Sequence, residues 1–151
     1  MSSTVNKPLV RRKLGLIAEE LGRLLSFRDV SLEELLGDFI RQAAVERILE
    51  RIINRAIDIN EHLIAELATG EEDRITRLTY RDTFLMLADL GVYPRAFGES
   101  VARSVGLRNV LVHEYNTVDP AQVHSSIRSC LRDYERYIRY VEAFVERLPE
   151  P

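Results

Sequence analysis

Apolar residues recur along this chain at three- and four-residue steps and not at two. That period places them on one face of a helix and rules out the alternation of a half-buried strand. Leu9, Leu14, Ile17, Leu21, Leu24 and Leu25 form one such stripe, and Phe39, Ala43, Ile48, Ile52, Ala56, Ile59, Leu63 and Leu67 a second. A third, Val123, Ile127, Cys130, Tyr134, Ile138, Val141, Val145 and Leu148, comes close to a heptad pattern. The punctuation agrees with helices. Pro8 suits a first turn, where its missing N–H has no partner to lose. Ser31 with Glu34 reads as a capping box, with Val30 and Leu35 as its hydrophobic staple. Gly37 can kink or split the segment that follows, which runs to about residue 68, where Gly70 fits a C-terminal cap. Thr79 with Asp82 opens a further helix that Gly91 closes. Pro94 starts another, reaching to about residue 115. Asp119–Pro120 starts the last, which Pro149 ends. Long helices with short connections and one apolar face each predict an all-α antiparallel bundle. A chain of 151 residues predicts a single domain spanning 1–151.

Composition narrows the function classes. A single cysteine, Cys130, excludes an intrachain disulfide and a cysteine-rich metal site, and fits a reducing cytoplasm. Residues 1–12 have no apolar run ahead of their basic residues, so no secretory signal is expected, and no apolar stretch reaches the roughly 18 residues of a membrane span. The net charge is −3. A protein that merely coats nucleic acid needs a strong positive balance, so an RNA site here would need a local concentration of arginine.

One segment departs from the pattern of polar residues outside and apolar residues inside. In Gly106-Leu107-Arg108-Asn109-Val110-Leu111-Val112-His113-Glu114-Tyr115, the side chains of Arg108, Asn109, His113 and Tyr115 crowd around a Val-Leu-Val core. Arginine can grip a phosphate with two parallel N–H bonds, and histidine exchanges a proton near neutrality. Together they suffice for metal-free RNA cleavage: a base takes the 2′-OH proton, the oxygen attacks the adjacent phosphorus, and arginine stabilises the developing charge. On a straight helix Asn109 and His113 lie about 40° apart, whereas Arg108 and His113 lie about 140° apart. The last two converge only if the helix bends, if arginine reaches around, or if a second chain supplies one of them. The plainer alternative is a bundle helix with a hydrogen-bonded histidine.

The string Arg-Asn-x-x-x-His-x-Tyr resembles the signature of HEPN-domain proteins, specifically the HepT toxin family. Val45-Glu46-Arg47, Ala56-Ile57-Asp58-Ile59, Tyr80-Arg81-Asp82-x-Phe84 and Gly106-Leu107-Arg108-Asn109 resemble that family in order and spacing, over roughly residues 11–145. The resemblance implies a HEPN-type four-helix bundle with an extra short helix. It also implies a homodimeric, metal-independent RNase toxin without cofactor, whose two motifs meet in a shared cleft. Arg108 and His113 match the catalytic pair and Asn109 the adjacent polar residue. Tyr115 matches the tyrosine to which a partner, a minimal nucleotidyltransferase antitoxin of the MntA type, transfers AMP and so silences the toxin. A non-catalytic helical protein that serves only as that partner's modification substrate is the alternative.

Other residues carry smaller expectations. His62, four residues after Asp58, is expected to make an orienting or interface hydrogen bond, with a metal pair as the alternative. His124 is expected to face solvent, and Glu114 to face solvent or the partner. Arg128, Arg132, Arg136 and Arg139 are expected to form an ion-paired face with neighbouring acids, although the stripe could also follow an RNA backbone. Tyr80, Arg81 and Asp82 are expected to cap their helix and pack near the motif.

Overall fold

A computed structural model describes residues 4–68, 70, 75–113 and 118–150. Its elements are α1 (Lys7–Leu25), α2 (Leu32–Leu36), α3 (Phe39–Leu67), α4 (Tyr80–Asp89), α5 (Arg95–Ala102), α6 (Ser104–His113) and α7 (Pro120–Arg147). There is no strand among the described residues.

The starts and stops follow from side-chain chemistry. The Asn6 side chain accepts the Leu9 amide at 3.0 Å, which opens α1 with Pro8 in its first turn. Ser31 and Glu34 make both halves of their capping box on α2. Gly37 is the C-cap of α2, and Asp38 caps α3 by accepting the Arg41 amide at 3.0 Å, so the segment is split here rather than kinked. Thr79 and Asp82 form the second capping box at the start of α4. Gly91 then turns the chain at φ 86°, where a side chain would be strained. The segment after Pro94 is not one helix. It breaks at Arg103, and Ser104 restarts it as α6. Ser104 Oγ donates to the Val101 carbonyl at 2.7 Å and lies 2.7 Å from the Tyr134 hydroxyl.

α3 is the central element and packs against α1, α2, α4, α6 and α7. Ile52, Ile53, Ala56, Ile59 and Leu63 are wholly enclosed, as are Val123, Tyr134, Tyr137, Val141 and Val145 of α7. The fold is the expected helical bundle, with local corrections to its core. Phe39 was expected on the inner side of α3 but is 83% exposed, because α3 begins beyond the bundle's edge. Ala43 and Leu25 are also exposed. On α7 the buried position is Tyr137, with Ile138 only partly buried.

Tyr137 is inside because its hydroxyl is satisfied there. It donates to Asn60 Oδ1 at 2.6 Å, and Asn60 Nδ2 donates to Thr83 Oγ1 at 3.2 Å. Thr83 Oγ1 donates in turn to the Tyr80 carbonyl at 2.6 Å. This buried chain ties α7 to α3 and α3 to the first turn of α4, and so fixes where Tyr80 stands.

Candidate active site on α6

α6 is anchored by Val105, Leu107 and Leu111, which point into the core. The same periodicity turns Asn109 and His113 outward, where both are exposed, and leaves Arg108 half-buried at the edge. That edge faces α3 and α4. Arg108 Nε donates to Asn54 Oδ1 at 2.9 Å, and Nη1 donates to Asn109 Oδ1 at 3.1 Å. The guanidinium carbon stands 4.7 Å from the centroid of the Tyr80 ring. One face of the guanidinium is thus held by an aromatic ring and one edge by two side-chain amides. These bonds use two of its five N–H donors, and the side chain sits at the surface rather than in the core.

An open groove of about 580 Å³ lies alongside, lined by Leu78, Thr79, Tyr80, Arg81, Val105 and Asn109. Tyr80, one of its walls, is 40% exposed. A groove of similar volume between α1 and α7 is lined by none of the motif residues.

The structure thus brings Arg108 and Asn109 together and places His113 on the same helix. Among the described residues Arg108 is bonded to Asn54 and Asn109, and no hydrogen bond joins it to His113. Tyr115 and Glu114 lie outside the described residues. Tyr80 and Asp82 behave as expected: Asp82 caps α4, and Tyr80 packs against the motif's arginine. Asn54 was not foreseen. Nothing in Ile52-Ile53-Asn54-Arg55-Ala56-Ile57 sets it apart from its polar neighbour Arg55.

The remaining expectations divide. His62 makes an orienting hydrogen bond, its Nε2 accepting the Asn6 amide at 3.0 Å, while Asp58 pairs with Lys13 at 3.4 Å. Among the described residues no group of three or more His, Cys, Asp or Glu is placed to hold a metal ion. His124 does not face solvent. It is half-buried with Nε2 2.7 Å from the Val30 carbonyl, and this tethers the start of α7 to the turn before α2. The carbonyl can only accept, so Nε2 carries the proton. The α7 stripe is an ion-paired face: Arg128 pairs with Asp29, Arg132 with Asp133 and Arg139 with Glu135. Arg136 lies over the Phe97 ring. No helix among the described residues is long and apolar enough to cross a membrane.

An all-helical bundle that presents Arg-Asn-x-x-x-His along one outward-facing helix is a domain of the HEPN class. More narrowly, the chain belongs to the ribonuclease HepT-like family, whose model matches residues 17–141. It is 32% identical to a tRNA nuclease HepT from Aphanizomenon flos-aquae over 148 residues, covering 98% of this chain and 97% of that protein. It is 26% identical to a chain of a solved MntA toxin–antitoxin structure, with a TM-score of 0.75 over 90% of this chain and 98% of the other. A tri-AMPylated Shewanella oneidensis HEPN toxin, solved in complex with an MNT antitoxin, shares the fold with a TM-score of 0.76. That likeness covers 89% of this chain and 97% of the other at 24% identity.

Proposed function

We propose that this chain is a metal-independent endoribonuclease toxin that acts as a homodimer in the cytoplasm. In this reading a partner nucleotidyltransferase silences it by transferring AMP to Tyr115. The observation that carries the reading is the held guanidinium of Arg108, set on the same helix as an exposed His113.

In this reading the two α6 helices of a dimer face each other across one cleft. Two-fold symmetry supplies two copies of His113, so one acts as base and the other as acid. The base takes the 2′-OH proton, and the 2′-oxygen bonds to the adjacent phosphorus. The bond from phosphorus to the 5′-oxygen breaks, and that oxygen leaves with the proton from the second histidine. Arg108, pre-oriented by Asn54, Asn109 and Tyr80, meets the phosphate charge as it grows. Asn109 is then a positioning residue for Arg108. The products are a 2′,3′-cyclic phosphate and a 5′-hydroxyl. tRNA is the first substrate to try, since the 32% identical relative is a tRNA nuclease.

Silencing follows from charge. The Tyr115 oxygen attacks the α-phosphorus of ATP and pyrophosphate leaves. Each AMP then adds a negative phosphodiester two residues past His113, where it competes with RNA for Arg108.

Purified, unmodified protein should cleave RNA in excess EDTA and leave cyclic-phosphate ends, read by mass spectrometry of the fragments. Cleavage that stops with EDTA and returns with a divalent metal would contradict the mechanism. Co-expression with the partner should add AMP to the peptide containing Tyr115, and Tyr115→Phe should abolish the adduct. An adduct that persists in that variant would move the site elsewhere.

A further inference from the structure

Glu20 of α1 is a carboxylate with only 2% exposure, and three arginines converge on one of its oxygens. Arg23 Nη1 donates to Glu20 Oε1 at 2.9 Å, and Arg51 and Arg55 do the same at 3.4 Å each. Glu20 Oε2 is buried with no hydrogen-bond partner. The three arginine side chains are 58%, 44% and 26% exposed, so none is sealed in the core with the acid it meets. None of the three has another carboxylate partner among the described residues.

We infer that Arg23, Arg51 and Arg55 form a phosphate-binding site for the RNA strand where it extends beyond the cleft. The inference rests on the RNase reading above. Three cations on one carboxylate leave two positive charges unmatched in a chain whose net charge is −3. A purely structural ion pair needs one arginine, and two more bring like-charge repulsion with no second carboxylate to offset it. A phosphate relieves that repulsion, because each arginine spends only one nitrogen on Glu20 and keeps the rest of its fork for an anion. The α7 stripe provides the contrast. There Arg128, Arg132 and Arg139 each meet a carboxylate of their own, and none shares its acid with a second arginine.

Position links the cluster to α6. Arg51 and Arg55 flank Asn54 on α3, about 60° and 100° around the helix from it. Asn54 is the residue that accepts from Arg108 Nε. One short stretch of α3 therefore holds the motif arginine on one side and two arms of the cluster on the other. A strand bound through one phosphate at Arg108 can be continued by this cluster on the adjoining face of α3. The site reads backbone, not base, so it contributes affinity and direction rather than sequence preference.

The test uses the full chain with His113→Ala, so that binding is read without cleavage, and a fluorescently labelled single-stranded RNA titrated at several salt concentrations. Arg51→Gln and Arg55→Gln should each weaken binding about fivefold at about 0.1 M salt and lower the slope of log affinity against log salt by about 0.7. The double variant should lower the slope by about twice that. Arg23 remains as the partner of Glu20 throughout, and melting curves check the fold. If the double variant does not fold, the two single variants decide. Arg139→Gln, which breaks an α7 pair, should leave the slope unchanged. Folded glutamine variants with the parent's affinity and slope would overturn the inference while leaving the RNase reading intact. A parent that binds no RNA at low salt would overturn that reading, and this inference with it.

Discussion

At the scale of single residues, the proposed mechanism depends on the orientation of Arg108 more than on its charge. Lysine would keep the charge but lose the planar fork that meets Asn54 and Asn109 and lies against Tyr80. Arg108→Lys should therefore cleave RNA little better than Arg108→Ala. Asn54→Ala removes a hydrogen bond to a charged group, worth about 1.5–3 kcal/mol, and should slow cleavage about 10- to 100-fold with helicity unchanged. Asn54→Asp, which keeps an acceptor, should recover much of that loss in the same single-turnover assay. Full activity in Asn54→Ala would remove it from the site. Arg108, Asn109 and His113 were legible in the sequence because polar side chains gather there around an apolar core. Asn54 was not, because it reaches Arg108 across 54 positions of chain and nothing beside it marks the contact. Glu20 was hidden for the same reason: Glu19-Glu20-Leu21-Gly22-Arg23 reads as a solvated turn of helix until α3 brings Arg51 and Arg55 to it.

At the scale of elements, the capping chemistry was readable because it is local. Asn6, however, opens α1 without having been singled out, and the break at Arg103 had no glycine or proline to announce it. The break is stabilised by Ser104, whose hydroxyl bonds back to the chain and meets Tyr134 of α7, a contact made through space. α4 is held to the bundle by the Tyr137–Asn60–Thr83 chain, and that chain carries Tyr80 to its place beneath Arg108. Tyr137→Phe keeps the ring but leaves the buried Asn60 Oδ1 without its donor. It should cost about 1–3 kcal/mol, seen as a lower urea midpoint with an unchanged slope. An unchanged midpoint would mean that the network contributes nothing.

At the scale of the whole molecule, one contiguous core makes the chemistry of its buried groups a reporter on the fold. Burial, helped by Asp133, pushes the Cys130 thiol up to about 12. The neutral thiol is a poor nucleophile, so the folded protein should resist thiol reagents at pH 8 and react only when urea unfolds it. The sign for stability follows. The unfolded chain releases this proton in the ordinary thiol range, near 8.5, while the folded chain keeps it. The contribution is therefore complete below that range and is lost as pH climbs toward about 12. Prompt reaction in native buffer would contradict the burial. The central claim, however, concerns the two α6 helices meeting in a dimer, and a single comparison tests it most directly. Unmodified wild-type protein and His113→Ala, matched in sedimentation and in melting, are given the same RNA in EDTA under single-turnover conditions. The account predicts a dimer in both cases, cleavage by the wild type, and a loss of at least about 100-fold in the variant. Equal cleavage by the two folded dimers would contradict it.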